Sequence, residues 1–164
     1  MAEHGRNDEE DALLHAVLEG DAATTRALLS AGVSPHQLVE AFGPQGPTKA
    51  TLLCVACTRS IETASLLLEH KADPNTPNST GMTALMTSAK ANATDAVRLL
   101  AKHGAALDTA HPQHGGTALH FAAVQGSMKA VCALLELGCD PTIVDSGLMG
   151  ETSGCTARQR AAQH

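Results

Sequence analysis

Aromatic side chains are almost absent from this chain of 164 residues, which contains two Phe, no Tyr and no Trp. Hydrophobic residues nevertheless make up 43% of the sequence, so a core is available and must be filled by Ala, Leu and Val. These small aliphatic side chains suit closely packed short helices better than a sandwich or a barrel. The composition therefore favours a helical protein.

Basic charge is also scarce, because 11 Lys and Arg residues stand against 17 Asp and Glu residues, for a net charge of −6. A protein that binds nucleic acids in general needs a basic face that neutralises phosphates. We therefore expect no nucleic-acid partner.

Long apolar runs are missing as well, and no stretch approaches the roughly 20 residues that a membrane-spanning helix needs. The first residues, "MAEHGRNDEEDALL", are acidic where a signal peptide would be basic and then apolar. The five cysteines are scattered and odd in number, which is typical of reduced thiols and not of a disulfide framework. We expect no membrane partner and a cytoplasmic or nuclear location.

The sequence does contain an internal repeat. Thr83 and Thr117 lie 34 positions apart and begin two related segments, "TALMTSAKAN" and "TALHFAAVQG". Leu-rich amphipathic segments follow them and recur elsewhere, each ending in a glycine or, once, a lysine: Gly32, Lys71, Gly104 and Gly138. Glycine suits a left-handed helix cap because it has no Cβ, so we expect the cap at Lys71 to be strained or differently shaped.

A second recurring position predicts a tight turn between two helices in each unit. Gly20, Asn92 and Gly126 each stand 12 residues before the next capping glycine, and Gly and Asn tolerate positive φ. Neither helix could bury its apolar face alone, so the units must stack. We predict a single domain, 1–164, with these units: 8–35, 49–75, 81–108, 115–142 and a partial 154–164.

These residues resemble the ankyrin repeat. The segment "GGTALHFAAVQGSMKAVCALLELGCDP" from Gly115 matches the family pattern over its whole length, with Ala118 in place of the usual Pro and Cys139 in place of Ala. The third unit has Met86 where the pattern has His. The first unit resembles an N-terminal capping repeat, and the second matches in its second half, with one residue missing around 58–61. The resemblance implies an all-α solenoid of about four repeats plus a partial C-terminal one.

The resemblance also implies function. Thr117 and His120 should hydrogen-bond to each other and stabilise the helix start. The protein should be a monomeric interaction module without catalytic activity, cofactor or metal, and should bind a partner protein or peptide through its concave face. That face is formed by hairpin tips and first helices, and an apolar centre with charged edges suits a protein surface better than a nucleotide. The predicted partner-binding residues are Leu18, Glu19, Phe42, Thr58, Arg59, Ser79, Thr80, Met82, Lys90, Gln113, His114, Val124 and Gln125.

Two insertions interrupt the repeat, at 36–50 and 143–154. We expect "HQLVEAF" to form one helical turn, and "GPQGP" cannot continue a helix. Phe42, one of only two Phe, is either packed against the stack or offered to a ligand. The segment 143–154 is interpreted as tolerated loop length, since doubling a loop costs only about 0.6 kcal/mol.

The broken fifth unit leaves apolar surface without a polar cap. It also suggests that the chain is one part of a larger polypeptide. The alternative function is then a regulatory or targeting domain of a larger enzyme.

Two short motifs invite a chemical interpretation. Cys54 and Cys57 form C-x-x-C, but inside a helix, whereas a redox motif needs a strand-to-helix start and a lowered thiol pKa. His111 and His114 form H-x-x-H without a second ligand pair at zinc-like spacing. A redox or metal protein is therefore the least favoured alternative. Asn75 resembles the ankyrin-loop asparagines that asparaginyl hydroxylases modify, although Pro74 departs from the usual aliphatic residue.

Overall fold

The computed structural model describes residues 8–43, 46–146 and 155–162. In these residues it has nine helices and one β-hairpin. The helices of the first two units are α1 (Asp8–Glu19), α2 (Ala22–Ser30), α3 (Leu52–Arg59) and α4 (Ile61–Glu69). Those of the later units are α5 (Ala84–Lys90), α6 (Thr94–Lys102), α7 (Ala118–Val124), α8 (Met128–Glu136) and α9 (Ala157–Ala161). The strands are β1 (Leu38–Gly43) and β2 (Gly46–Thr51).

The helices form two stacked columns. The first helices contact one another in chain order, α1 with α3, α3 with α5, α5 with α7 and α7 with α9. The second helices do the same, α2 with α4, α4 with α6 and α6 with α8. Each unit therefore packs on its sequence neighbours, as the repeat predicts.

Small side chains let the first helices approach closely. In each of the four full units, the residue four positions before the tight turn is small and buried. These residues are Ala16, Ala56, Ser88 and Ala122. The Ser88 hydroxyl donates to the Ala84 carbonyl at 2.8 Å, which satisfies its hydrogen bond inside the core. Leucines of the second helices fill the space between the columns, including Leu67, Leu100 and Leu134, all fully buried.

The predicted turns are confirmed, and the backbone conformation explains why Gly or Asn occupies them. Gly20, Asn92 and Gly126 have φ of 72°, 55° and 67°, in the left-handed region that L residues with a Cβ avoid. The second unit is one residue shorter at this turn. Ser60 makes the turn there with extended backbone, and its hydroxyl accepts from the Thr63 amide at the start of α4. Lys71 keeps the left-handed cap with φ of 71°, so the cap there is strained and not differently shaped.

The first insertion corrects the sequence prediction, because it forms a β-hairpin where a helical turn was expected. Strands β1 and β2 pair antiparallel, with Val39 opposite Ala50 and Phe42 opposite Pro47. Val39 is buried and Leu38 is half exposed, which is the alternation of a strand and not the period of a helix. The all-α description therefore holds for the repeats but not for this insertion. The side chain of Phe42 lies outside the described residues.

Polar contacts join each interhelical loop to the next. The Lys49 amide donates to the Ser79 hydroxyl at 2.7 Å, and the Ser79 amide donates to the Lys49 carbonyl at 2.8 Å. The Asn75 side chain donates to the Gly104 carbonyl at 3.2 Å and accepts from the Ala106 amide at 2.8 Å. Asn75 thus bridges two units, and its modification stays a prediction.

Candidate functional site

The start of α7 shows what Thr117 and His120 do. The Thr117 amide donates to His120 Nδ1 at 3.3 Å, and the Thr117 hydroxyl lies 2.9 Å from the same nitrogen. His120 Nε2 lies 3.0 Å from the Cys155 carbonyl, and the ring is buried. This arrangement caps the helix and ties the fourth unit to the chain that enters α9. The sequence pattern predicts the first contact but carries no signal for Cys155.

The predicted partner-binding positions occupy equivalent places along the stack. Because first helices contact in order, their last residues, Glu19, Arg59, Lys90 and Val124, form one edge of the column. Most of the predicted side chains are exposed: Leu18, Glu19, Thr58, Arg59, Ser79, Thr80, Lys90, Gln113 and Gln125. Three others are partly buried: Met82, His114 and Val124.

Three of the predicted loop residues also have a structural role that the sequence does not reveal. Ser79 pairs with Lys49 of β2, as described above. The Thr80 carbonyl lies 2.7 Å from His111 Nε2, and the His114 carbonyl accepts from the Ser146 amide at 2.8 Å. The hairpin tips are therefore joined to one another, which holds the proposed binding edge in a fixed shape.

His111 and His114 form a stacked ring pair. Their centroids lie 3.8 Å apart with an interplanar angle of 2°, and Phe121 contacts both rings edge-on at 6.0 Å and 5.4 Å. His111 Nδ1 accepts from the Gln113 amide and its Nε2 faces the Thr80 carbonyl. Both nitrogens of His111 are thus engaged in loop hydrogen bonds. A metal ion would have to break one of them to bind there.

Protonation of His114 opposes folding. Partial burial, and then the neighbouring His111, lower the pKa of His114, while Asp145 acts in the opposite sense. His114 Nδ1 also accepts from the Gly116 amide at 3.3 Å, and only an unprotonated nitrogen can accept. The neutral ring is therefore the form that the fold favours.

We expect the free energy of unfolding to fall as the pH decreases below the ordinary histidine pKa of about 6.5. The reason is that the unfolded chain binds protons at His114 more readily than the folded chain does, so the stability is present above that pH and is lost below it. Urea unfolding between about pH 7 and pH 5 measures the slope, and His114→Gln should flatten it. His15→Gln, on the exposed face of α1, is the matched control. Equal slopes for wild type and His114→Gln would contradict this assignment.

The C-x-x-C motif lies in the core. Cys54 and Cys57 are both buried in α3, and burial raises the pKa of Cys54 and raises that of Cys57 to about 12. The reactive form of cysteine is the thiolate, so both groups stay protonated at neutral pH. Within the described residues, no three His, Cys, Asp or Glu side chains are grouped so as to hold a metal ion.

A groove with a volume of about 680 Å³ runs past the tight turns of the second and third units to the start of α8 in the fourth unit. It is lined by the end of α3 and by the starts of α4, α6 and α8, and it includes Thr58 and Arg59 of the predicted site. Arg98 and Lys129 supply further positive charge and Asp95 negative charge. The predicted edge therefore borders a concave surface of mixed charge.

Helix pairs that stack in order, with Thr at the start of α3, α5 and α7 and with linked loops, define this chain as a solenoid of ankyrin type. Family comparison agrees: ankyrin repeats in three copies match residues 71–145, and a further ankyrin repeat matches 48–79. The chain belongs to the ankyrin-repeat family, whose repeats serve as protein-interaction modules.

The chain is similar to parts of longer proteins. It is 33% identical over 123 residues to a probable E3 ubiquitin-protein ligase, XBOS33, of Oryza sativa subsp. japonica, covering 75% of this chain and 23% of that protein. It is 36% identical over 80 residues to palmitoyltransferase Hip14 of Drosophila melanogaster, covering 49% and 13%. A putative ankyrin repeat protein of Rickettsia felis is 29% identical over 141 residues, covering 85% and 43%. The chain therefore spans less than half the length of each of these relatives.

Among the described helices, none is long and apolar enough to cross a membrane.

Proposed function

We propose that this chain binds a partner protein or peptide through the concave face and performs no catalysis itself. The observation that carries the proposal is the register of exposed side chains at equivalent positions of four stacked units. Glu19 is exposed at the end of α1, as are Thr58 and Arg59 at the end of α3; Lys90 at the end of α5 and Gln125 just after α7 repeat that placement. The helix caps and the two buried columns of helices hold the stack together, and neither requires these types of side chain at these exposed positions.

The chemistry of this face suits a polypeptide. Met82 and Val124 are both partly buried, and Met82 packs against the core, so both offer apolar surface to a partner. Arg59 and Lys90 are basic and Glu19 is acidic, and all three are exposed. Apolar contact in the centre supplies binding energy and charged groups at the rim supply specificity.

We expect the double substitution Met82→Glu, Val124→Glu to weaken partner binding at least tenfold, because it places two charges in the apolar centre. The partner is first captured from source cells and identified by mass spectrometry, and its Kd is then measured with purified components. Since both side chains are partly buried, a second variant, Arg59→Glu, Lys90→Glu, tests the same face at exposed positions.

The matched control is Ala27→Glu, Lys102→Glu, which places charge on exposed positions of the outer helices α2 and α6. The variants at exposed positions, Arg59→Glu, Lys90→Glu and the control, should melt like the wild type in circular dichroism. Binding that survives both concave-face variants but fails in the outer-helix control would move the site to the convex side and sink the proposal.

A second candidate function is regulation or targeting within a larger enzyme. The relatives named as an E3 ubiquitin-protein ligase and a palmitoyltransferase share with this chain only 23% and 13% of their lengths. The mass of the protein in source cells, compared with the 16.8 kDa of this sequence, distinguishes the two. A much larger product carrying a catalytic domain would favour the second function.

We also propose a cytoplasmic or nuclear location. Cys54, Cys57 and Cys139 are buried as thiols. Reduced cysteines in a fold without disulfides are usual inside cells. Imaging of a tagged protein in source cells tests the location.

A further inference from the structure

The groove of about 680 Å³ along the tight turns carries more positive than negative charge. The chain as a whole is acidic, with a net charge of −6, but the groove is lined by Arg59, Arg98 and Lys129 and by one acidic residue, Asp95. Arg98 is already paired with Glu136 of α8. In the part of the chain that the structure describes, Arg59 and Lys129 have no ion-pair or hydrogen-bond partner, and both are exposed. The groove therefore has one free cation in the second unit and one in the fourth.

The same two ends of the groove carry exposed apolar side chains. Ile61 and Met128 line the groove and are 43% and 65% exposed. They hold equivalent places, because each is the first residue of its second helix, α4 and α8. Ile61 lies two residues after Arg59, and Met128 directly precedes Lys129. Each end of the groove thus places one apolar side chain beside one free cation.

The middle of the groove has a different chemistry. There α6 begins with Thr94, and the exposed Asp95 follows it. Asn92, in the turn before α6, is exposed, and its side-chain oxygen accepts from the Ala130 amide at 3.1 Å. Asp95 repels an acidic group of a ligand at this point, whereas the polar side chains of Asn92 and Thr94 can pair with backbone groups of a ligand.

We propose that this groove binds an extended segment of a partner polypeptide with an acidic and an aliphatic residue at each end and no charge between them. The inference rests on the proposed function, in which the chain binds a polypeptide, and it states which kind. Acidic residues complement the two free cations, and aliphatic residues contact Ile61 and Met128. An extended segment exposes its backbone groups to Asn92 and Thr94, whereas a helix keeps those groups bonded within itself.

The distance between the two ends follows from helix packing. The start of α4 and the start of α8 are two steps apart in the column, since α4 contacts α6 and α6 contacts α8. Packed helices lie about 8–10 Å apart, so the two ends are separated by about 16–20 Å. An extended chain advances about 3.3 Å per residue, and residues an even number of positions apart share one face. The aliphatic residues of the ligand should therefore stand about six positions apart.

The test uses the full chain and the synthetic peptide EELTSTSTLEE as the probe, which has this spacing. Two control peptides change one feature each: KKLTSTSTLKK reverses the charge, and EESTSTSTSEE removes the aliphatic residues. We expect only the probe to shift the methyl NMR signals of both Ile61 and Met128. Its Kd should rise with salt concentration, because salt screens the charges of exposed groups.

Variants of the chain locate the binding. Arg59→Glu, Lys129→Glu should raise the Kd of the probe about tenfold or more, because two repulsions replace two attractions. The matched control is Arg26→Glu, Lys102→Glu, which changes the net charge equally at exposed positions of α2 and α6 outside the groove lining. The control should change the Kd much less. All four positions are exposed, so both variants should melt like the wild type.

Several outcomes would overturn the inference. The absence of methyl shifts at about 1 mM probe would do so. Equal binding of KKLTSTSTLKK, or an equal loss in the outer-helix control, would mean that the charge of the groove selects nothing. Association of the chain alone that Arg59→Glu, Lys129→Glu abolishes would give the groove to a second copy. Displacement of the probe by a lower concentration of single-stranded DNA would give it to a nucleic acid.

Failure of this inference is distinct from failure of the concave-face proposal. Met82 and Val124 do not line the groove, so Met82→Glu, Val124→Glu should leave probe binding unchanged. If that variant loses the partner while the probe fails to bind the wild type, the concave-face proposal stands and this inference is wrong. If the probe binds as expected while partner binding survives both concave-face variants, the concave-face proposal is the one that fails.

Discussion

Replacement of Leu100 by alanine is expected to lower the free energy of unfolding by about 2–5 kcal/mol. Leu100 is fully buried in α6, and α6 packs on α4, α5 and α8. Truncation therefore removes apolar contacts and leaves a cavity between rigid helices that cannot close it. In a stack where each unit contacts only its neighbours, the loss also weakens the coupling between the units on either side.

The neighbouring residue provides the control for this prediction. Leu99 has the same side chain on the same helix but is only partly buried, so Leu99→Ala should cost clearly less. Chemical denaturation of both variants measures the difference. Equal losses for Leu99→Ala and Leu100→Ala would mean that the assigned face of α6 is wrong.

Replacement of Gly81 by alanine is expected to cost about 2–5 kcal/mol, the sum of two effects. The backbone at Gly81 has φ of 86°, and a residue with a Cβ pays about 1–2 kcal/mol there. A Cβ would also lie 2.7 Å from Pro112 Cγ and 3.1 Å from His111 Nε2. The proline ring is rigid, so overpacking adds about 1–3 kcal/mol.

Gly104→Ala separates the two effects. Gly104 has nearly the same backbone, with φ of 85°, but nothing lies within 4 Å of a Cβ built there. Gly104→Ala should therefore lose only the free energy that the backbone conformation costs. The difference in stability between the two variants then measures the contact between the loop that precedes the third unit and the loop that precedes the fourth. If Gly81→Ala and Gly104→Ala lose the same stability, the close approach of Pro112 is not present in solution.

The contact at Gly81 also links stability with the proposed function. His111 faces the Thr80 carbonyl from the next loop, and Thr80 is one of the predicted partner-binding residues. A change that separates these loops should therefore weaken partner binding as well as the fold. The proposed binding edge depends on the joined hairpin tips and not only on the side chains that it exposes.

Much of the fold could be predicted from the sequence because its signals are local. The period of the repeat, the left-handed turns at Gly20 and Gly126 and the Thr117–His120 cap each depend on residues within a few positions of one another. Positive φ and helix capping are properties of the chain itself, and a stack repeats them in every unit. Because these signals are local, the exposed positions at the ends of the first helices could be predicted in one unit from their places in another.

The sequence by itself determined the family, the number of units and the place of the turns, since each follows from local backbone preference and apolar periodicity. Tertiary structure decided the rest. The insertion pairs Val39 with Ala50, and Lys49 with Ser79, and strand pairing depends on partners distant in sequence that no local pattern specifies. Leu68 and Leu135 have equivalent positions, yet one is buried and the other exposed. The physical reason is that the exposed fraction of a side chain depends on which residues pack beside it in space. At the end of the stack, no further second helix of the described chain packs on Leu135.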